Sequence, residues 1–262
     1  MNKVAIVTGG SSGIGRQTAL ALAQKGCTVY EFSRRQAYIS GVTHLPVDVT
    51  DEAAFMEAVK TVAEAEGRID ILINNAGFGI SGAAEFTENG DAKRLLDVNL
   101  FGAVNGCRAV IPYMRSQGYG RIVNISSVAA PCAIPFQAWY SVSKAAVSTY
   151  TLALANEVRP FGIQVAAVMP GDIHSGFTGA REKSPVGDDI YGGRIARSVA
   201  VMERDEENGM SPRIAGQYIA GVALCRRPHT LNTVGLRYKS VVALMKLLPC
   251  DFSNYLIGKI YG

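Results

Sequence analysis

The amino-terminal segment most constrains the fold of this 262-residue chain, because a short apolar run leads directly into a glycine-rich turn. Residues 3–8 are rich in β-branched side chains, as a buried parallel strand is. The turn follows at once, and residues 14–25 then carry apolar side chains at helical spacing. A strand, a glycine turn and a helix start form a pyrophosphate site, because glycines admit the phosphate and free N–H groups attract it. The candidate contacts are Gly9, Ser11, Ser12, Gly13, Ile14 and Gly15, with the closest approach expected at Gly13 and Gly15.

Strand-like and helix-like segments alternate along the whole chain without a break in composition. Strands are predicted at 3–8, 27–33, 42–46, 69–73, 120–126, 163–169 and 234–239, and helices at about 14–25, 51–65, 91–116, 138–159 and 211–226. Such alternation implies right-handed crossovers and a covered parallel sheet. We therefore expect one α/β domain over 1–262, a doubly wound (Rossmann), mostly parallel seven-stranded sheet with helices on both faces. Residues 177–210 are expected to form a substrate lid, and residues 240–262 a carboxyl-terminal extension.

Composition excludes several other classes of protein. The net charge of +4 is too small and too dispersed to indicate nucleic-acid binding. The five cysteines are scattered without a CxxC pair, so we expect neither a disulfide nor a zinc or other metal site. No signal peptide and no apolar run long enough for a membrane span is recognisable, so a cytoplasmic protein is expected.

The end of the second strand indicates which nucleotide binds. It closes with Ser33, Arg34 and Arg35, about twenty residues beyond the glycine turn, where the adenosine ribose is read. Arginine accommodates a 2′-phosphate, whereas an acidic residue would accept a hydrogen bond from a 2′-hydroxyl. NADP(H) is therefore favoured over NAD(H). Two alternatives stay open: Glu31 could be a displaced ribose-binding acid, and the arginines could belong to a solvated loop.

Two further segments follow predicted strands, at the edge where open α/β sheets bind ligands. Asp48, followed by Val49, could hydrogen-bond the adenine amino group or could cap the helix that begins near Asp51. The turn after the next strand contains Asn75, Ala76 and Gly77, which can place backbone and small side chains against a cofactor.

Tyr140 and Lys144 lie four residues apart in a predicted helix, so both side chains can reach one small molecule. A nearby ammonium favours the phenolate, and the pair therefore indicates an acid/base tyrosine with a lowered pKa. Bringing the pKa of a phenol from about 10 to about 7 requires roughly 4 kcal/mol, much of which a lysine about 4 Å away could supply. By itself the pair also occurs by chance on solvated helices.

Together these motifs resemble the single-domain branch of the short-chain dehydrogenases/reductases. The resemblance covers about residues 3–175 and rests on Thr8-Gly9-x-x-x-Gly13-x-Gly15, Asn74-Asn75-Ala76-Gly77, Asp97-Val98-Asn99, Ser126-Ser127, Tyr140-x-x-x-Lys144 and Pro170-Gly171 with Ser175. It implies an NAD(P)-dependent enzyme acting on CH–OH groups, with the catalytic set Asn99, Ser127, Tyr140 and Lys144. It also implies that Tyr140 and Lys144 contact the cofactor, as do Pro170, Gly171, Ile173 and Ser175. Lys144 would hold the nicotinamide ribose, and Asn99 a water that connects the lysine to solvent.

The substrate is expected to be a small hydrophobic ketone or secondary alcohol. The connection over 128–139 is apolar and has a catalytic residue at each end, although it could instead pack under the lid or at a subunit contact. Tyr191 and Met202 mark the expected lid, and His174 could line the site or face solvent. The tail after residue 239 resembles family members that act on hydroxysteroids, retinoids and comparable lipids, so a hydroxysteroid is the leading example.

Two rival functions remain at this point: a reductase of another carbonyl class, such as a ketoacyl thioester or a sugar, and a non-catalytic NADP(H)-binding sensor. The resemblance further implies a homodimer or homotetramer through helices 91–116 and 138–159.

Overall fold

A computed structural model describes residues 2–262 and contains a seven-stranded sheet in which every pair of neighbours is parallel. The strand order is β3-β2-β1-β4-β6-β7-β9, and β5 and β8 form a separate two-stranded sheet. The strands are β1 Val4–Thr8, β2 Thr28–Ser33, β3 Val42–Pro46, β4 Ile71–Asn74, β5 Ile80–Ser81, β6 Gly120–Ile125, β7 Ile163–Met169, β8 Glu182–Lys183 and β9 Leu231–Thr233. The predicted doubly wound α/β fold is confirmed.

Helices connect the strands and cover both faces of the sheet. They are α1 Gly13–Gln24, α2 Glu52–Glu66, α3 Asn89–Leu96, α4 Gly102–Ser116, α5 Ala138–Glu157, α6 Phe177–Ala180, α7 Arg194–Glu207, α8 Pro212–Leu224, α9 Leu236–Leu247 and α10 Cys250–Tyr261. Local signals define some of the helix ends. Asp51 caps α2 by accepting from the N–H of Ala54 at 2.9 Å, and Gly67 closes that helix in a left-handed conformation.

Two apolar cores lie on opposite faces of the sheet. On one face, residues of α2, α4 and α5 such as Phe55, Val110 and Leu154 pack against alternate side chains of the strands. On the other face, α1 and α8 contribute residues such as Leu22 and Ile219. Because both faces are covered, the central strands are apolar throughout, as β1 shows with all five of its residues buried.

The direction of strand succession reverses between β1 and β4, since β2 and β3 lie on one side of β1 and the later strands on the other. A crevice opens at such a switch point beyond the carboxyl ends of the strands. The glycine turn after β1 and the Asn74–Gly77 turn after β4 therefore meet at the same edge of the sheet.

The predicted strand over 234–239 is wrong. The last strand of the seven-stranded sheet is β9, which pairs with Ala167–Met169 of β7. Leu236 already begins α9. Gly235 has φ of +83°, a conformation that turns the chain out of the sheet. The true strand is hard to recognise because it contains a buried asparagine, Asn232, whose amide donates to the carbonyl oxygens of His229 and Ala167.

The helix predicted over 91–116 is not a single α-helix. A π-helical turn at Asp97–Phe101 separates α3 from α4. Such turns insert one residue into the helical register and often occur at functional sites. The inserted turn carries Asn99 toward the interior of the protein, where its side chain is buried.

The segment over 177–210 contains three short elements rather than an irregular loop: α6, β8 and α7. β8 pairs with β5, and the carboxyl-terminal α10 packs against α7.

Within residues 2–262, every helix is too short or too polar to cross a lipid bilayer.

Candidate active site

A cleft of about 840 Å³ lies at the carboxyl edge of the sheet, over the switch point. It brings together almost all of the predicted site residues from six separate parts of the chain. Those that line it are Gly9, Ser11, Ser12, Gly13, Ile14, Ser33, Arg34, Arg35, Asp48, Val49, Asn75, Ala76, Gly77, Ser127, Tyr140, Lys144, Pro170, Gly171, Ile173 and Ser175. Gly15 and Asn99 do not line the cleft. Each packs behind residues that do.

Gly15 does not make the expected close approach to the cleft. It is buried beneath the turn, and a Cβ there would lie 2.3 Å from the carbonyl oxygen of Gly9 and 2.4 Å from the Asn75 amide nitrogen. The glycine is therefore required for packing between the turn and α1. Ser12, at the start of α1, makes no side-chain capping hydrogen bond, so the helix start is not closed by its own side chain.

The turns after β1 and β4 are joined by hydrogen bonds. The hydroxyl oxygen of Thr8 accepts from the backbone N–H groups of Asn75 and Ala76 at 2.9 and 3.0 Å. The Asn75 side-chain amide donates to the carbonyl oxygens of Thr8 and Gly9 at 3.0 and 3.3 Å. These bonds fix the floor of the cleft.

At the tip of β2, the side chains of Arg34 and Arg35 are exposed and line the cleft. Arg34 lies 3.9 Å from the carboxylate of Asp48, whose Oδ1 accepts from the N–H and hydroxyl of Thr50. Asp48 does not cap the following helix, because Asp51 does so. The backbone bond to Thr50 and the charge of Arg34 hold the pKa of Asp48 below its usual value despite partial burial.

Glu31 lies away from the cleft, so the alternative of a displaced ribose-binding acid is not met. Its carboxylate is fully buried behind Gly10, with one oxygen bonded to His44 and Ser33. The Ser33 hydroxyl also donates to the carbonyl oxygen of Arg35 at 2.9 Å. The two arginines are therefore the cationic groups at this end of the cleft.

Tyr140 and Ser127 lie next to each other where the cleft meets α5, and the Ser127 hydroxyl acts on the Tyr140 phenol. Burial raises the pKa of Tyr140 to about 12, while the Ser127 hydroxyl and the charge of Arg181 act in the opposite direction. The expected lowering of this pKa is not found. A phenol in this setting holds its proton at neutral pH and can donate it to an oxygen in the cleft.

The neighbouring Ser126 has a different environment. Its hydroxyl donates to the carbonyl oxygen of Lys144 at 2.8 Å and lies 2.8 Å from the hydroxyl of Ser148. Ser126 therefore ties β6 to α5, and Ser127 is the hydroxyl available beside Tyr140.

Lys144 is buried, and its ammonium donates to the carbonyl oxygen of Ile125 at 2.9 Å. The ammonium lies 5.7 Å from the centre of the Tyr140 ring. Burial lowers the pKa of Lys144 to about 8, because no carboxylate offsets the loss of water. Lys144 is thus a cation in a dry part of the cleft.

Asn99 is held beside Lys144 by the loop after β4. Its Oδ1 accepts from the N–H of Phe78 at 2.9 Å, and its Nδ2 donates to the carbonyl oxygen of Phe78 at 2.9 Å and to the Ser143 hydroxyl at 3.1 Å. A Cβ added at Gly77 would lie 2.9 Å from Asn99 Oδ1 and 3.5 Å from Lys144 Nζ. Asn99 is therefore a buried amide whose side chain is already hydrogen-bonded. It borders the space around Lys144.

Several residues that line the cleft had not been predicted from the sequence. Phe177 of α6 packs its ring on Tyr140 with centroids 5.7 Å apart. Arg94 of α3 forms an ion pair with Glu182 of β8 at 2.6 Å, and both residues line the cleft. Glu206 of α7 is paired with the buried Arg181. No local pattern could reveal these contacts, because 25 to 88 residues separate the partners.

The apolar connection over 128–139 has two of the roles expected for it, because one part lines the cleft and another part packs under α7. Val128, Ala129, Ile134 and Gln137 line the cleft. Phe136 instead packs under α7 against Tyr191, with ring centroids 5.5 Å apart, and adopts φ of +58°.

Three other side chains singled out in the sequence lie outside the cleft. Met202 is buried in α7. His174 faces solvent, where its Nδ1 donates to the carbonyl oxygen of Glu207 at 2.8 Å. Tyr191 packs on Phe136, as described above. Among residues 2–262 no group of three or more His, Cys, Asp or Glu side chains is arranged to hold a metal ion.

Comparison with known proteins identifies the family. The family described as short chain dehydrogenase matches residues 3–185. A 3-ketodihydrosphingosine reductase from Bacteroides thetaiotaomicron is 39% identical over 264 aligned positions, which cover 99% of this chain and 98% of that protein. A 3-oxoacyl-(acyl-carrier-protein) reductase from Thermotoga maritima is 33% identical over 234 positions, covering 82% of this chain and 95% of that protein.

The fold comparison agrees. The crystal structure of a short-chain dehydrogenase from Streptomyces avermitilis has a TM-score of 0.81 and 30% identity, and the match covers 92% of this chain and 91% of that chain. The chain therefore belongs to the short-chain dehydrogenases/reductases and is an NAD(P)-dependent oxidoreductase acting on CH–OH groups.

Proposed function

We propose that the protein uses NADPH to reduce a ketone on a long-chain lipid that carries an amino group beside the ketone. The observation that carries the reaction is that the hydroxyls of Ser127 and Tyr140 lie side by side in the cleft. The similarity to a 3-ketodihydrosphingosine reductase over nearly the whole chain supports the substrate class.

The cleft fits a dinucleotide. The start of α1 presents backbone N–H groups that no side chain caps, beside a glycine turn into which a phosphate fits. Ser175 lies beside this turn, because a Cβ built at Gly13 would be 4.0 Å from the Cβ of Ser175. Pro170, Gly171 and Ile173 continue that wall. When bound, the reduced nicotinamide supplies the hydride.

The side chains of the cleft supply the proton. Tyr140 donates its phenolic proton to the carbonyl oxygen of the substrate as general acid, and the Ser127 hydroxyl hydrogen-bonds the same oxygen. Because the pKa of Tyr140 is about 12, the phenol is protonated at neutral pH and is ready to donate. This protonation state suits ketone reduction better than alcohol oxidation.

Lys144 and Asn99 complete the proposed catalytic set. The buried ammonium of Lys144 would hold the nicotinamide ribose hydroxyls and would stabilise the phenolate that forms when Tyr140 gives up its proton. Asn99 borders the space beside Lys144 through its bonds to Phe78 and Ser143, and it would position a water that returns a proton to the site.

Arg34 and Arg35 favour NADPH over NADH. A guanidinium binds the 2′-phosphate through two N–H donors and can stack on adenine. The only carboxylate at this end of the cleft within residues 2–262, that of Asp48, already accepts from Thr50 and faces Arg34. Asp48 would instead accept a hydrogen bond from the adenine amino group.

Charge in the cleft favours an amino ketone over the hydroxysteroid expected from the sequence. Glu206 and Asp172 both line the cleft, and both carboxylates raise the pKa of Tyr140, so they act electrostatically on the reacting position. Glu206 is paired with Arg181, whereas Asp172 is bonded to the neutral hydroxyl of Tyr238 at 2.6 Å. An ammonium next to the ketone would pair with Asp172, and Phe177, Ile134 and Val128 would cover the alkyl chain.

The test is a panel of initial rates with NADPH and with NADH. The substrates are 3-ketodihydrosphingosine, a ketosteroid, a ketoacyl thioester and a keto-sugar, each with the wild type and Tyr140→Phe. We expect fastest turnover of the amino ketone with NADPH, and a loss of about 10²- to 10⁴-fold in Tyr140→Phe. Faster turnover of the thioester or sugar would favour a reductase of another carbonyl class. Absence of turnover with retained NADPH binding would favour the non-catalytic sensor, and a preferred ketosteroid would restore the hydroxysteroid assignment.

The protein is further proposed to form a homodimer or homotetramer through α4 and α5. Phe101, Val142 and Leu152 are exposed apolar side chains on and beside these helices. Light scattering of the wild type and of Leu152→Asp tests this assembly.

A further inference from the structure

Exposed apolar side chains are concentrated in the last two helices. Of sixteen exposed large hydrophobic residues within 2–262, seven lie in α9 and α10, which make up about a tenth of the chain: Leu236, Val241, Leu244, Leu247, Phe252, Tyr255 and Ile260. Leu236 is 82% exposed and Leu247 83% exposed. A patch of this kind on a protein surface indicates an interaction site.

The exposed apolar residues of α9 form a stripe flanked by cations. Leu236 and Leu247 are eleven residues apart, which is close to three helical turns, and they therefore share one face. Lys239 and Lys246, seven residues apart, lie along one side of that face. The opposite face carries the buried Val242 against the protein. Exposed apolar side chains with lysines along one edge can enter a membrane surface while the lysines contact anionic headgroups.

The charge of the last two helices indicates what kind of surface they bind. Residues 236–262 contain four cationic side chains and one acidic side chain: Arg237, Lys239, Lys246, Lys259 and Asp251. An anionic bilayer surface complements this charge, whereas a twofold contact with a second copy would bring like charges together. Cations beside apolar side chains match the arrangement of anionic headgroups over acyl chains.

The same surface is joined directly to the rim of the cleft. Tyr238 of α9 donates to the carboxylate of Asp172, which lines the cleft, at 2.6 Å. At the end of α10, the guanidinium of Arg194 donates to the carbonyl oxygen of Gly262 at 2.9 Å, and Tyr261 donates to Asp205 at 3.4 Å. Arg194 and Asp205 belong to α7, which also carries Glu206 in the cleft.

We propose that the exposed apolar face of α9 and α10 docks on an anionic lipid bilayer and holds the cleft beside the membrane from which the substrate is taken. The purpose of this docking rests on the proposed function, because a long-chain ketolipid resides in a bilayer. The docking itself depends only on the exposed leucines and the cations that flank them.

The experiment is cosedimentation of the full chain with lipid vesicles. The probes are vesicles of phosphatidylcholine mixed with phosphatidylglycerol, and vesicles of phosphatidylcholine alone. We expect binding to the anionic vesicles that is at least about tenfold tighter than to the neutral vesicles and that weakens as salt is added. Wild-type protein that stays in the supernatant with anionic vesicles, or that binds both vesicles equally at all salt concentrations, would overturn the proposal.

Matched variants locate the surface. The double variant Leu244→Asp, Leu247→Asp should lose at least about tenfold in vesicle affinity while keeping wild-type thermal stability and wild-type turnover of a short-chain, water-soluble amino ketone. The control Ile214→Asp changes an equally exposed residue on α8 and should bind vesicles as the wild type does. Unchanged vesicle binding in the double variant overturns the assignment to α9 and α10.

Three outcomes separate this inference from a contact with a second copy and from the proposed function. A wild-type oligomer that dissociates in light scattering when Leu244 and Leu247 are replaced would show that a second copy covers the face, and docking would be rejected. Vesicle binding without reduction of any amino ketone would reject the proposed function alone, whereas turnover of the soluble amino ketone without vesicle binding would reject the docking alone.

Discussion

The ammonium of Lys144 donates to the carbonyl oxygen of Ile125 over 2.9 Å, which anchors α5 to the end of β6 inside the protein. This single bond to a neutral acceptor does not replace the water that a cation loses on burial. The pKa of Lys144 therefore falls to about 8.

That shift makes stability depend on pH in a defined direction. The unfolded chain binds the Lys144 proton with the ordinary pKa of 10.5, so it holds more protons than the folded protein between about pH 8 and 10.5. The burial cost is full below about pH 8 and disappears as pH rises through this window. Lys144→Met removes the cost, so its stability advantage over the wild type should shrink by about 2–3 kcal/mol between pH 7 and 10. Urea unfolding of both proteins at each pH measures this, and a difference that is constant with pH would contradict it.

Replacing both Arg34 and Arg35 with alanine should raise the KM for NADPH by about tenfold or more, because the 2′-phosphate loses its guanidinium donors. The KM for NADH should change less than about threefold, since NADH has no such phosphate. Initial rates at varied cofactor concentration give both constants. Arg115→Ala, an exposed substitution in α4, serves as the control. Equal losses for the two cofactors would count against recognition of the phosphate.

Asp172→Asn should raise the KM for the amino ketone by about tenfold, because the ammonium loses a partly buried charged partner. The kcat should stay within a few-fold, and a long-chain ketone without the amine should be unaffected. Asparagine retains an oxygen that can accept from Tyr238. Tyr238→Phe, which removes that hydrogen bond but keeps the carboxylate, is the matched control. A parallel rise in KM for both ketones would argue for a structural role of Asp172.

Two glycines of α8 should respond in opposite ways to alanine. A Cβ at Gly216 would lie 2.6 Å from the backbone carbon of Gln17 in α1, so Gly216→Ala should destabilise the protein by about 1–3 kcal/mol. Gly221 has open space around its position, and Gly221→Ala should stabilise by about 0.5–1 kcal/mol through the lower entropy of the unfolded chain. Thermal unfolding of the two variants decides; a gain at Gly216 would mean that α1 and α8 can separate without cost.

The strand predictions succeeded where strands are apolar and failed where a strand is polar. β1 and β7 contain continuous apolar runs, which is the pattern of a strand buried on both faces. β9 contains a buried asparagine whose partners are backbone carbonyl groups, and the apolar residues after it alternate misleadingly into α9. Periodicity cannot distinguish these cases, because hydrogen bonding rather than side-chain polarity decides them.

The sequence by itself determined the family, the first six strands of the main sheet and the segments that meet at the cleft, because apolar runs, glycine turns and Tyr140-x-x-x-Lys144 are local patterns. Only the tertiary structure decided the environment of each group. In the folded protein Glu31 is buried behind Gly10 and Gly15 lies beneath the turn. Phe177 and Asp172 lie in the cleft that contains Tyr140. The tyrosine pKa depends on these neighbours and on burial, which are set by contacts between residues far apart in the chain.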